Sequence, residues 1–276
     1  MDNTSDKQIA EQLRQEFRQD EVKKTNFPTE VIELPSRGLL YPEGHVLATG
    51  VIEMKYMTAK EEDILTSANL IKQGVVLDKL LKSLIVTPVN YNDILIGDKN
   101  AIMVAARVLG YGKDYNAELK CPNCDAKNEI NIDLTTIENK EIDLNKITKG
   151  TTEFHFSLPS SKRDVTFKVL THGDDRAIEQ EIKSLKKTTK RSGIDPTLST
   201  RLAYTITSID GNRDRKVVRD FVENELFAID SRALRTYALD VTPDIDMSFY
   251  FECDSCSHEN DSMPVPMTID FFWPRA

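Results

Sequence analysis

The 276-residue sequence predicts an internally duplicated α+β fold, two pseudo-equivalent halves each made of strands, helices and a Cys-x-x-Cys hairpin. Three observations carry this reading. A Leu-Pro-Ser turn occurs twice, at Leu34 to Ser36 and at Leu158 to Ser160. A strand-like stretch ending in threonine, Val51 to Thr58, lines up with Asp164 to Thr171 at an offset of 113 residues. Farther on the offset is 132: Asp98 meets Asp230, Ala101 meets Ala233, Ile102 meets Leu234 and Leu119 meets Phe251. Cys121 and Cys124 then meet Cys253 and Cys256 at that same offset. The change of offset places insertions in the second half, most visibly around Lys186 to Gly193. The chain thus divides into an arm over 1–30, a first half over 31–150 and a second half over 151–276.

Each element has a local reason. From Ser5 to Lys24, Ile9, Leu13 and Phe17 recur at i, i+4 and i+8 on a charged background, a helix with one narrow apolar stripe suited to docking. Pro-Ser-Arg-Gly and Tyr-Pro-Glu-Gly turns follow. Val51 to Met57 alternates as a strand, and Thr58 with Glu61 and Glu62 behind it marks a helix start. Leu77 to Val86 and Asp98 to Leu109 read as two further helices. Tyr115 to Lys120 and Glu129 to Leu134 read as strands flanking Cys-Pro-Asn-Cys. In the second half a helix begins near Asp174, Met247 to Glu252 leads into Cys-Asp-Ser-Cys, and a return strand is expected from Met263 to Phe271. The apolar tail Ile269 to Pro274, with Trp273, is expected to close that last hairpin.

Cys121, Cys124, Cys253 and Cys256 are all the cysteines of the chain. A Cys-x-x-Cys at a hairpin tip presents two sulfurs from one tight turn, half of the tetrahedral thiolate set that zinc prefers. Two such knuckles make one structural four-cysteine zinc site of zinc-ribbon type. Their separation, 128 residues between Cys124 and Cys253, exceeds ribbon spacing, and the duplication supplies the reason they meet. Other readings are two separate sites, with His258 as an added ligand, a redox pair, an iron–sulfur cluster, or thiols without ligands. Redox pairs normally open a helix, and these open polar turns. Four protein thiolates would leave no open position for a catalytic water. No export signal is read at the amino terminus, and a reducing compartment favours metal over disulfide.

The rest of the sequence argues against several function classes. No apolar run approaches a membrane span. Net charge of −9 and a pI near 5.1 disfavour nucleic acid and anionic surfaces. The basic stretch Lys183 to Arg191 is the local exception, but no aromatic residues interleave its charges, so it reads as a solvated helix end. His45, His155, His172 and His258 are scattered, and no phosphate loop, Gly-x-Ser-x-Gly or His-Glu-x-x-His pattern occurs. Glu61 to Asp63 and Asp174 to Asp175 lie where helices begin, as the macrodipole favours. No enzyme is read.

Leu-Pro-Ser-Arg-Gly-Leu-Leu-Tyr-Pro from Leu34, the helix after Met57-Thr58, the segment Asp93 to Gly112 and the Cys-Pro-Asn-Cys knuckle together resemble the baseplate hub proteins of contractile-tailed, T-even-like bacteriophages. The resemblance covers Val31 to Leu134 well and the second half mainly through the shared plan. It implies a non-enzymatic hub subunit or hub assembly chaperone that binds other baseplate proteins. It implies residence in the bacterial cytoplasm during assembly and then in the virion tail. The rivals are a zinc-ribbon module that binds nucleic acid and a metal-dependent enzyme.

Overall fold

In the computed structural model the described residues are 28–188, 195–266 and 271–273. The expected arm helix, Ser5 to Lys24, and Lys190 and Arg191 of the basic stretch lie outside them. The fold is mixed α+β. Strands β1 (Thr29–Glu33) and β2 (Val51–Lys55) form an antiparallel hairpin with Ile32 opposite Ile52. Its long connection buries Leu34, Leu40, Tyr41 and Leu47. That connection closes on itself tightly: Gly38 has φ +74°, and a Cβ there would lie 2.5 Å from the Ala48 carbonyl oxygen. Helices α1 (Ala59–Thr66), α2 (Ala68–Gln73) and α3 (Val76–Leu84) follow, then α4 (Ile96–Tyr111) and the hairpin β3 (Asp114–Lys120) with β4 (Lys127–Asp133).

A hairpin, a helix, further helices, a long helix and a second hairpin then come again. Strands β5 (Glu153–Ser157) and β6 (Asp164–Lys168) precede α5 (His172–Thr188) and α6 (Thr197–Thr205). Strand β7 (Ile206–Ile209) joins β6, and α7 (Arg215–Asp220) runs into a wide π-type turn at Phe221–Glu225. Helix α8 (Ala228–Val241) leads to the hairpin of β8 (Ser248–Glu252) and β9 (Glu259–Pro264).

Side-chain networks recur with the elements. The Glu61 carboxylate accepts from the Thr58 N–H at 3.0 Å and from Lys55 Nζ at 2.8 Å, capping α1. Asp174 accepts from the Thr171 N–H at 3.1 Å and from Lys168 Nζ at 2.7 Å, capping α5. One turn into α4, Asp98 accepts from the Ser36 N–H, the Ser36 hydroxyl and the Tyr41 hydroxyl at 2.7–2.9 Å. One turn into α8, Asp230 accepts from the Ser160 and Ser161 N–H groups at 2.7 and 2.9 Å. Each long helix is thereby tied to a Leu-Pro-Ser turn.

The two halves of the chain share one apolar core. Main-chain bonds cross between them: Ile96 N–H to the Leu170 carbonyl, His172 N–H to Ile94, Lys140 N–H to Asp244 and Asp246 N–H to Glu138. Around the first of these crossings Asp78 lies within 3.3–4.0 Å of Lys99, the His172 ring and Arg176, so a carboxylate of one half faces Lys99 of its own half and Arg176 of the other.

Two expectations are corrected. The return strand runs from Glu259 to Pro264 and overlaps the expected stretch only at Met263 and Pro264, and Pro264 and Pro266 cannot donate to a continued ladder. The described tail residues, Phe271 to Trp273, do not close that hairpin. Phe271 packs edge-on against Tyr115 at 5.1 Å and Trp273 donates its indole N–H to the Leu65 carbonyl at 3.1 Å, both in the first half. Residues 267–270 and 274–276 are not among the described ones.

Candidate metal centre

Hairpin β3–β4 ends with Lys120 opposite Lys127, and β8–β9 with Glu252 opposite Glu259. Both tips turn the same way. The Cys121 N–H donates to the Ala126 carbonyl at 2.9 Å and the Asp125 N–H to the Cys121 carbonyl at 3.0 Å. In the second tip the Cys253 N–H donates to His258 at 3.0 Å and the Ser257 N–H to Cys253 at 2.9 Å. Asp125 and Ser257 occupy matching left-handed positions, at φ 58° and 52°.

The tips face each other. Sγ of Cys121 lies 3.7 Å from that of Cys256, and Sγ of Cys124 lies 3.7 Å from that of Cys253. All four sulfurs lie within 4.8 Å of one another. A tetrahedral ion with sulfurs about 2.3 Å away spaces them about 3.8 Å apart. A disulfide would require about 2.05 Å. The spacing therefore suits a single ion, whereas a multi-iron cluster would hold the sulfurs farther apart. Thiolates are soft donors, so the set fits zinc, and four of them close its coordination sphere.

Cys121 and Cys253 are buried, and Cys124 and Cys256 are exposed. The buried pair sits on a small apolar cluster with Phe251 and Met263, flanked by Leu119, Ala126, Ile130 and Phe249. Burial opposes the Cys253 thiolate, but N–H groups of Ser255 and Cys256 and the neighbouring thiols pull it down to about 6. At Cys124 a main-chain bond at Ala126 favours the thiolate, while the Cys256 thiol and burial push it up to about 12. Four adjacent thiols do not all ionise without a cation, so metal uptake releases protons.

One supporting residue escaped the sequence reading. Asn128, buried behind the first tip, donates to the Ala126 carbonyl at 3.0 Å and points an amide N–H at Cys253 Sγ, 3.7 Å away. Its side-chain oxygen accepts from the Asp254 N–H at 2.9 Å. It thus ties both knuckles together. Nothing in a lone asparagine four residues past a cysteine signals this, because its partner lies 126 positions away. The reciprocal bond cannot form, since Pro122 stands where the second knuckle has Asp254 and has no N–H.

The histidines stand apart from this cluster. His45 caps a short turn through the Leu47 N–H, His155 contacts Thr166 on neighbouring β6, and His172 lies at the Asp78 crossing. His258 contributes its carbonyl to the second knuckle. Among the described residues of the basic stretch, Lys183 pairs with Glu179 and Lys186 with Asp195, as a solvated helix end would.

The family model described as "T4 bacteriophage base plate protein" matches residues 29–273, nearly the whole chain, and the chain belongs to that family. No curated protein and no solved structure matches it.

Proposed function

We propose that this member of the T4 base plate family is a non-enzymatic structural subunit of the baseplate hub, held in shape by one zinc ion on Cys121, Cys124, Cys253 and Cys256. The family match over 29–273 carries the baseplate role. The four sulfurs within 4.8 Å, drawn from two distant hairpins, support the zinc. A closed thiolate sphere offers no substrate position, so the ion acts as a staple. We further propose that residues 31–150 and 151–276 are two copies of one plan. The paired caps at Glu61 and Asp174, the paired ties at Asp98 and Asp230, and the matching knuckles support that division. Its place is the virion tail, reached after assembly in the bacterial cytoplasm, and its partners are other baseplate proteins.

Mass spectrometry of finished virions beside tail-assembly intermediates tests the role. A structural subunit is present in both, whereas presence only in intermediates identifies an assembly chaperone. Native mass spectrometry of the purified chain tests the staple, with one zinc per chain expected. Salt-dependent retention on DNA or RNA would instead support the nucleic-acid-binding alternative.

A further inference from the structure

Helices α4 and α8 occupy matching places, but among the described residues only α4 has its outer face covered. Gly97 lies against the main chain of Pro243, where a Cβ would come within 1.9 Å of the carbonyl oxygen, and Asn100 donates to Asp244 at 3.0 Å. The corresponding positions of α8 are Ile229 and Arg232, and both face solvent. Ile229 and Leu239 are 63% and 65% exposed. An open concavity of about 480 Å³ runs along this face, lined by Ile229, Arg232, Ala233, Thr236, Tyr237 and Asp240. Leu144, 47% exposed, belongs to the short turn beside it, where Lys146 pairs with Asp143 and sits over the Tyr237 ring at 5.6 Å.

The lining has the spacing of a seat for a helix. Ile229, Arg232, Ala233 and Thr236 stand at i, i+3, i+4 and i+7, and Ala233, Thr236, Tyr237 and Asp240 repeat that pattern one turn on. Four residues so placed form the hole that receives one knob of a facing helix, so two knobs a turn apart fit here. The side chains at the centre, Ala233 and Thr236, are small, which lets a second backbone come close.

Charge selects the helix. Arg232 and Asp240 carry opposite signs but stand eight residues apart in α8, about 12 Å along its axis, too far to pair with each other. Among the described residues neither has an ion-pair partner. The complementary helix therefore offers a carboxylate level with Arg232 and a cation level with Asp240, in reverse order along its chain. Helix α8 itself meets this requirement when a second copy runs antiparallel to it, with Thr236 level with Thr236. Arg232 then comes level with Asp240 of the second copy, and Asp240 with Arg232 of the second copy. Leu239 of the second copy falls level with Ala233, so an exposed apolar knob stands opposite the smallest side chain of the lining. We infer that the outer face of α8 is a two-fold docking surface for a second copy of this chain, closed by two Arg232–Asp240 pairs. One helix pair with its flanking turns lies at the small end of specific interfaces, so the dimer is weak and reversible. This inference does not depend on the baseplate role or on the zinc.

Sedimentation velocity of the full-length chain at rising concentration tests it, with a reversible dimer expected. Arg232→Asp alone and Asp240→Arg alone each set like charges opposite one another, and each should weaken dimerisation at least about ten-fold. Mixing the two variants should bring it back to within about three-fold of the unaltered chain, because each supplies the charge the other lacks. The doubly swapped chain, Arg232→Asp with Asp240→Arg, should also dimerise. A monomer at every concentration, a dimer indifferent to the single swaps, or a mixture no better than its components would overturn the assignment. Both positions are exposed, and circular dichroism of each variant separates a lost contact from a lost fold.

Discussion

Asp98 in α4 and Asp230 in α8 each sit one turn into a long helix and each hold a Leu-Pro-Ser turn. Their surroundings differ. Ser36 and Tyr41, which donate to Asp98, are buried, whereas Ser160, which donates to Asp230, is exposed. The same contrast runs through the two regions. Strand β2 meets a second neighbour only at a single bridge, Met54 with Ile85, while β6 gains a full strand, β7. The first region spends its helix faces on contacts with the second, and the second keeps α8 open. Local wiring is shared, and what differs is what each region packs against.

Four tests would break or sharpen this comparison. The largest effect is expected where the regions are joined. Cys121→Ser should abolish zinc binding and loosen both hairpins, since structural zinc sites contribute on the order of 10 kcal/mol in small modules. Native mass spectrometry and hydrogen exchange would show it, and a second hairpin that kept its metal and its protection would refute the shared site.

Next comes the aspartate pair. Asp98→Ala strands three buried donors and should cost about 3–5 kcal/mol in chemical denaturation. Asp230→Ala leaves N–H groups that water can reach, and should cost about 1–2 kcal/mol. Equal costs would mean that burial is not what separates the sites.

The helix caps give a pH-dependent contrast. Burial opposes the Glu61 carboxylate, but its bonds to Lys55, Thr58 and Ser83 hold it at about 2. A depressed folded value means stability that is fully present above about pH 4.3 and lost as pH falls towards 2. Glu61→Gln should therefore cost up to about 3 kcal/mol at neutral pH and progressively less below pH 4. Asp174→Asn, at the more open cap, should cost about 1 kcal/mol. Denaturation midpoints measured from pH 7 down to 2 would reveal the convergence for Glu61.

The smallest effect concerns the asparagines behind the knuckles. Asn128→Ala should weaken zinc about ten-fold in chelator competition. Asn260→Ala, at the matching position, should leave zinc affinity nearly unchanged, because Asn260 caps the Ser262 N–H instead of reaching towards a sulfur.

What the sequence revealed was what neighbours in the chain decide. Thr58 with Glu61 marked the start of α1, the Cys-x-x-Cys spacing marked both knuckles, and alternation located β2 at its observed start, Val51. The stretch from Leu77 read as one helix and is one, from Val76 to Leu84. Features set across long separations were not legible. Strand β7 is short, and pairing with β6 rather than its own composition makes it a strand. The tail looked like a strand because Phe271, Phe272 and Trp273 are apolar, yet their partners are Tyr115 and Leu65, far back in the chain. At the metal centre the four candidate ligands were visible from spacing and number. Asn128 was not, since its role exists only once the hairpins meet.

The distance in sequence between the knuckles also sets a timetable. A ribosome adding about 5–20 residues per second leaves the first pair of thiols waiting on the order of ten seconds before the second pair is made. Until then the nascent chain displays two sulfurs without their partners, open to oxidation or to a scavenged ion. Ligation of the proposed ion would therefore be a late event, available only to a chain translated as far as its second knuckle. A product truncated before that point would carry half a centre and could not close it.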